Sequence, residues 1–178
     1  MKMSGNFKEK RLLYDNSEDL YFLTYNLVLI LSVLDCKNEK SSFKDYRKLV
    51  FLIPIISNEK NAQLLLNYYK NDIKPNENII KELNRIYYDA IDTVTLVRYL
   101  LLILEKRNLI KIITEDNKVN IYLVENETIK IFIKNSKFEN EKRRITEIKG
   151  KIKGLRRLNY MTFVDKFFKE NGVAIWEH

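Results

Sequence analysis

The sequence predicts a mainly α-helical fold with a small β-hairpin, an α+β arrangement. The 178 residues include only 4 glycines and 2 prolines, which favours long helices over a sandwich or barrel that needs many tight turns. Apolar residues make up 46% of the chain, which excludes wholesale disorder. Apolar side chains recur at helical spacing along most of the sequence, whereas residues 109 to 123 form two short β-type runs around a polar tip.

The predicted fold is built around residues 92 to 124, which are expected to form one helix and the hairpin. A helix over residues 94 to 107 is predicted to begin at Asp92 or Thr93 as an N-cap. It ends where Lys106 and Arg107 suit the negative end of the helix dipole. Its buried face is predicted to consist of Val94, Val97, Leu100, Leu101 and Leu104.

Asn108 then stands where a helix usually needs a left-handed residue. Residues 109 to 113 and 119 to 123 are predicted as the strands of a hairpin whose tip is residues 114 to 118. A helix over residues 76 to 87 precedes this unit. The order of helix, turn, helix and hairpin is typical of a winged helix.

Other elements are predicted along a single domain from residue 15 to residue 178, preceded by a flexible segment of residues 1 to 14. A central helix is expected to begin at Ser17 and to run to about residue 34, since it is apolar on nearly every side. The further predicted elements are helices over residues 43 to 53 (capped by Ser42 and ended or kinked by Pro54), 61 to 69, 138 to 153 and 155 to 171. The alternation in residues 128 to 134 favours a strand, with a helix as the alternative.

Positive charge is concentrated in one segment. The formal net charge is +8. Residues 134 to 157 hold ten Lys or Arg and three Glu, a net of 10 − 3 = +7. Such a segment suits the phosphates of nucleic acid, an acidic partner protein or simply a solvated surface. The candidate phosphate-binding residues are Arg143, Arg144, Lys149, Lys151, Lys153, Arg156 and Arg157.

The residues needed for catalysis or for a resident cofactor do not form a recognisable set. Cys36 and His178 are the only cysteine and histidine, and together they cannot supply four zinc ligands. All four glycines are isolated, so no glycine-rich phosphate loop is present. No enzyme activity, metal or cofactor is therefore predicted. The single cysteine and the absence of a leader or an apolar run of about 20 residues predict a cytoplasmic protein without a membrane span.

The helix over residues 94 to 107 is poorly suited to reading DNA. A recognition helix must present polar side chains to base edges, but residues 100 to 104 read LLLIL. Glu115 and Asp116 at the hairpin tip would be repelled by phosphate, and Lys111 and Lys118 offset them only in part. The polar or aromatic residues predicted to be exposed on this helix are Thr95, Arg98, Tyr99, Glu105 and Lys106. The motif therefore suits protein contact better than sequence-specific reading.

Three stretches resemble a known class of proteins. They are FKDYRKLVFLIPIIS (residues 43 to 57), VRYLLLILEKRNLIKIITEDNKVNIYLV (97 to 124) and GLRRLNYMTFVDKFFKENG (154 to 172). They resemble the middle components of bacterial three-component ABC systems, including Lamassu-type anti-phage defence operons. They are also similar to the winged-helix accessory subunits of SMC and condensin complexes. The resemblance implies a non-enzymatic subunit that joins a coiled-coil ABC ATPase to an effector and helps the complex engage DNA.

Three hypotheses follow. The first is an adaptor of an SMC-like ABC ATPase complex, with partner or self-association surface supplied by Tyr21, Tyr25, Tyr160, Phe163 and Phe167. Its predicted partners are the ATPase and an effector subunit, with nucleic acid at the basic segment and a homodimer as a further state. The second is a winged-helix DNA-binding transcriptional regulator. The third is a hydrolase or nuclease with a carboxylate site.

Overall fold

A computed structural model describes residues 6–70 and 73–175, with side chains from Leu20 onward. This part of the chain folds into eight α-helices and one two-stranded antiparallel sheet. The predicted mainly helical α+β class is therefore confirmed. The helices are α1 (Asn6–Val33), α2 (Arg47–Ser57), α3 (Glu59–Tyr68), α4 (Glu77–Asp92), α5 (Val94–Lys106), α6 (Glu127–Lys134), α7 (Glu139–Lys151) and α8 (Tyr160–Phe167), and the strands are β1 (Ile110–Glu115) and β2 (Lys118–Leu123).

Helix α1 is central, as its apolar character predicts. Its residues 27 to 31 are all buried. Five consecutive buried residues leave no face of those turns in water, because successive helical side chains point about 100° apart. The helix begins at Asn6 rather than at Ser17, so residues 6 to 14 of the predicted flexible segment are helical and residues 1 to 5 lie outside the described residues.

Helix α2 differs from the prediction at both ends. It does not begin at Phe43, whose backbone instead exchanges two hydrogen bonds with Ile121 of β2 at 2.7 and 3.0 Å. Nor does it end at Pro54, which lies inside the helix. An internal proline destabilises a helix by about 3 kcal/mol. Burial of Ile55 and Ile56, the two residues that follow it, stabilises by about 1.5–3 kcal/mol each and offsets this cost.

Helix α5 and the hairpin follow the prediction closely. Val97, Leu100, Leu101 and Leu104 are buried. Asn108 has a left-handed backbone with φ 56°. The strands pair over six residues from Ile110 opposite Leu123 to Glu115 opposite Lys118. Asp116 and Asn117 both have positive φ, at 49° and 59°, which matches the turn that best joins twisted strands.

Thr93 is the N-cap residue of α5, one of the two predicted, but the expected capping bond is missing. Thr93 has a helical backbone, and its hydroxyl donates to the Ala90 carbonyl at 2.8 Å instead of accepting from the next turn. Helix α4 runs to Asp92, beyond the predicted end at residue 87, so a single residue joins it to α5. Asn76 does cap α4 as predicted, since its side chain accepts from the Ile79 amide at 3.0 Å.

Residues 128 to 134 form helix α6, so the favoured strand prediction is wrong. The Asn126 side chain accepts from the Ile129 amide at 2.8 Å and starts the helix. A strand here would need a neighbour, but in the described sheet β1 pairs with β2, and the further bridge to β2 comes from Phe43. Ile129, Phe132 and Ile133 share one helical face and pack on the core, while Ile131 is 70% exposed.

The predicted C-terminal helix over residues 155 to 171 is shorter than expected. Gly154 has φ 75°, and the chain turns through residues 155 to 159 before α8 begins with Asn159 as its cap. A short 3-10 turn, Lys169–Asn171, follows α8 and ends at Gly172, whose φ of 87° is the left-handed ending expected of glycine.

Lys48 holds the turn between α7 and α8. Its side chain is fully buried on α2. Its ammonium donates to the carbonyls of Leu155 at 2.8 Å, Arg156 at 3.3 Å and Leu158 at 2.5 Å. It also lies 4.5 Å from the centre of the Phe43 ring. One side-chain amino group therefore donates to three carbonyls of a turn that is buried or half-buried at these positions.

We predict that Lys48→Met lowers the free energy of unfolding by about 3 kcal/mol, because it leaves buried acceptors without a donor. Urea denaturation measures this. The matched control is Lys44→Met, which removes a cation whose partner, Glu115, is exposed, and we expect it to change stability little. Equal effects of the two variants would contradict the role given to Lys48.

The contribution of Lys48 to the free energy of unfolding depends on pH. Burial lowers the pKa of Lys48 from 10.5 to about 7. Because the folded-state pKa is below the unfolded one, the unfolded chain binds more protons between these values. The free energy of unfolding should therefore rise with pH from about 7 to about 10.5. The rise should be smaller in Lys48→Met, and identical pH profiles would contradict the assignment.

Cys36, which follows α1, is fully buried, and this burial raises the pKa of its thiol to about 12. Since the thiolate is the reactive form, a disulfide reagent such as dithiobisnitrobenzoate at pH 8 should label native protein more than about a hundredfold slower than urea-unfolded protein. The Cys36→Ser variant is the blank. Rapid native labelling would show that this region is open.

Candidate functional site

The basic segment is largely used inside the protein. Three of its cations, all on α7, donate to carbonyls in the last turns of other helices. Lys142 donates to Ile133 of α6 at 2.9 Å, Arg144 to Ile56 of α2, and Lys149 to Val33 of α1 at 2.9 Å. Helix C-termini leave carbonyls without intrahelical donors and attract cations. These charges therefore stabilise helix ends.

Arg156 acts in the same way. Its guanidinium donates to the carbonyls of Leu34 at 3.5 Å and Asp35 at 3.1 Å, just beyond the end of α1. Together with Lys149 it closes the C-terminus of that helix. Two of the candidate phosphate-binding residues are thus engaged at one helix end.

Arg144 does not belong to an exposed surface, contrary to the prediction. Its side chain is only 8% exposed and also pairs with Glu59 and Glu141, each at 3.1 Å. Its neighbour Arg143 is 49% exposed and pairs with Glu59 and Glu147, both at 3.0 Å. Lys151, Lys153 and Arg157 are exposed.

Two of the residues predicted at a partner interface lie in the core instead. Phe163 and Phe167 are fully buried and belong to an aromatic cluster with Phe51, Tyr69 and Phe168. The amphipathic stripe of α8 is therefore core. Such a stripe has the same sequence pattern whether it faces the core or a partner.

The other three predicted interface residues are accessible to different degrees. Tyr21 on α1 is 75% exposed. Tyr25, one turn later, is half-buried against Phe22 and Phe138, with ring centres 5.5 and 5.2 Å away. Tyr160 is half-buried beneath the guanidinium of Arg47, which lies 4.4 Å from its ring centre.

Helix α5 has an outward face that combines cationic and apolar side chains. Tyr99 is 56% exposed and Leu102 is 58% exposed, and Thr95, Arg98 and Lys106 are exposed beside them. Glu105, predicted to be exposed, is instead half-buried because its carboxylate accepts from the Ile112 amide at 2.9 Å. Leu102 was not among the residues predicted to be exposed, although it lies off the predicted buried face of Leu100, Leu101 and Leu104.

A recess of about 320 Å³ lies between this face and the hairpin. Leu101 and Leu102 form one side, and Ile112 and Val119 form the other. Tyr46 is buried between them, and its hydroxyl accepts from Arg98 Nε at 3.1 Å. The recess is therefore apolar on its walls and has a guanidinium fixed at one edge.

A second recess of about 360 Å³ lies on the other side of Arg98. Ile91 and Val94 line it from α4 and α5, and Tyr160 and Met161 line it from α8. Because Tyr46, Arg47 and Arg98 line both recesses, the two form one surface, which we call the α5 groove. Burial raises the pKa of Tyr160 to about 12, so its phenol is neutral at physiological pH.

The charge of the α5 groove is positive. Asp45, whose side chain is 4% exposed, is the one carboxylate among the described residues that line the two recesses. Arg47 binds both of its oxygens, at 2.9 and 2.6 Å, and neutralises it. Within the described part of the chain, neither Arg98 nor Lys118 forms an ion pair with a carboxylate.

The described residues contain no cluster of three or more His, Cys, Asp or Glu side chains placed to hold a metal ion. His178 lies outside the described residues. Within residues 6–70 and 73–175, none of the helices has the combination of length and apolar composition needed to cross a membrane.

No family model, curated protein or solved structure matches this chain. The similarity to the middle components of three-component ABC systems therefore stays a prediction from the three sequence stretches quoted above.

We predict that Arg144→Ala and Arg143→Ala differ strongly in their effect on stability, although they remove the same kind of side chain at adjacent positions. Arg144→Ala should lower the free energy of unfolding by about 3 kcal/mol, since it uncaps α2 and leaves Glu141 half-buried without its partner. Arg143→Ala should change stability little, because its ion pairs are exposed. Thermal and urea unfolding measure both effects, and an equal loss would refute the capping role.

Proposed function

We propose that this protein is a non-catalytic adaptor subunit of an SMC-like ABC ATPase complex in bacterial anti-phage defence, and that it joins the ATPase to an effector. The observation that carries the proposal is the outward face of α5. Its back is packed in the core, while Tyr99 and Leu102 are each more than half exposed. Exposed aromatic and aliphatic side chains on a rigid helix are typical of protein contact sites.

The α5 groove supports the link to the family resemblance. The three stretches that carry the resemblance are far apart in the sequence, yet each contributes to this groove. Residues 43 to 57 supply Tyr46 and Arg47, residues 97 to 124 supply Arg98 and Lys118, and residues 154 to 172 supply Tyr160 among others. A shared binding surface is a physical reason for the three stretches to occur together.

The arrangement of α4, α5 and the hairpin further supports a winged-helix-like adaptor that binds protein rather than DNA through α5. Glu115 in the hairpin pairs with Lys44 at 2.6 Å, and the exposed Asp116 at the turn would repel phosphate. At least five of the ten cations in the basic segment bind backbone carbonyls or glutamates. We propose that any help in DNA engagement comes from exposed cations of this segment, Lys153 and Arg157, outside the α5 groove.

Co-expression with the products of the neighbouring genes tests the proposal, which predicts that one of them is an SMC-like ATPase. The wild-type chain should co-elute with the ATPase in size-exclusion chromatography. A Tyr99→Glu/Leu102→Glu variant should lose the complex, because two carboxylates would have to be buried at the interface. The matched control is Ile131→Glu on α6, which changes a 70% exposed apolar residue and should leave the complex intact.

Three outcomes would contradict the adaptor. The first is that the chain does not bind the ATPase. The second is that the α5 variant binds the ATPase as well as wild type does. The third is that the protein alone forms a homodimer through α5 that excludes the ATPase. A DNA-binding regulator would instead show salt-dependent binding of a specific duplex, and Lys153→Glu/Arg157→Glu would abolish that binding.

A further inference from the structure

We propose that the α5 groove binds an acidic and apolar segment of the partner protein, with a partner carboxylate on Arg98 and partner apolar side chains in the two recesses. This inference rests on the proposed function, because it describes the chemistry of the segment that an adaptor would hold.

Arg98 is oriented to bind a carboxylate. Its Nε donates to the buried Tyr46 hydroxyl at 3.1 Å, while the side chain is exposed and forms no ion pair within the described part of the chain. The two terminal nitrogens therefore form no ion pair with a described carboxylate. A guanidinium held in this way offers two parallel donors that match a carboxylate, and the fixed orientation reduces the entropy lost on binding.

Lys118 gives the first recess a second unmatched cation. Its cross-strand neighbour is Glu115, but that carboxylate already binds Lys44 at 2.6 Å and also accepts from Asn120 at 3.1 Å. Since Asp45 is neutralised by Arg47, the groove keeps two positive charges. An acidic segment complements that charge, whereas a basic one would be repelled.

The walls of the groove favour a polypeptide over a phosphate backbone. Leu101, Leu102, Ile112 and Val119 line the first recess. Met161, which is 39% exposed, lines the second, where its flexible thioether can adapt to different side chains. Bound phosphates would leave these apolar surfaces in water, whereas Leu, Ile or Phe side chains would bury them.

A random 15-residue peptide library displayed on phage tests this inference with purified full-length protein. Peptides recovered on the wild-type chain should be enriched in Asp and Glu together with Leu, Ile or Phe. Synthetic versions of these peptides, measured by fluorescence anisotropy, should bind Arg98→Glu about tenfold or more weakly. Lys118→Glu should also weaken binding.

The matched control is Arg107→Glu, which makes the same charge change at the C-terminal end of α5, outside the residues that line either recess. It should leave binding unchanged. If Arg98→Glu fails to fold, Lys118→Glu decides the question, because Lys118 is an exposed strand residue. Selection on Arg98→Glu/Lys118→Glu should yield basic peptides, since the charge of the groove is reversed.

Recovered peptides without acidic residues, no recovered peptides, or binding that the Arg98 and Lys118 variants leave unchanged would overturn the inference. A duplex DNA that competes with the peptides at the groove would do so as well. The adaptor proposal would survive these results if Tyr99→Glu/Leu102→Glu still disrupted the ATPase complex. Conversely, peptide binding without an ATPase complex would refute the adaptor alone.

Discussion

Lysine and arginine side chains that donate to backbone carbonyls hold the helices of this protein together. Each α-helix leaves its last carbonyls without an intrahelical donor. Where several helices end near one another, water cannot serve them all. Lys142, Arg144 and Lys149 of α7 reach the ends of three other helices, and Lys48 of α2 reaches the turn that follows α7. A cation suits this role because the C-terminal end of a helix is negative.

Because many of these cations bind carbonyls, the density of charge along the sequence does not show where the folded protein has unmatched positive charge. Residues 134 to 157 contain most of the excess positive charge, yet much of it is matched by carbonyls and glutamates within the fold. The cations without a carboxylate partner at the α5 groove, Arg98 and Lys118, come from stretches with no charge excess. Binding depends on the charge that remains unmatched after folding, and that quantity differs from the density of charge along the chain.

The same packing positions the α5 groove. Lys48 fixes the chain before α8, which places Tyr160 and Met161 beside Arg47 on α2. The two backbone hydrogen bonds between Phe43 and Ile121, with the bond from the Tyr46 amide to Val119 at 2.9 Å, hold the hairpin next to the start of α2. Three separate stretches are thereby held around α5 without depending on a partner. A preformed groove of this kind loses little conformational entropy when it binds.

The sequence by itself determined the features that depend on neighbours a few residues away. The buried face of α5, the left-handed Asn108, the hairpin with its tip and the Asn76 cap all follow from helical or strand periodicity and from local side-chain hydrogen bonds. Arg98 and Tyr99 were also identified as exposed, because they lie off the apolar face of their helix. Only the tertiary structure decided that α2 continues through Pro54, that residues 128 to 134 form a helix, that Phe163 and Phe167 are core and that Arg144 is buried. The burial of Phe163 and Arg144 depends on residues far away in the sequence, such as Phe51 and Ile56, because periodicity specifies which face of an element is buried but not what will cover it. Helix α6 also has a local signal, the Asn126 cap.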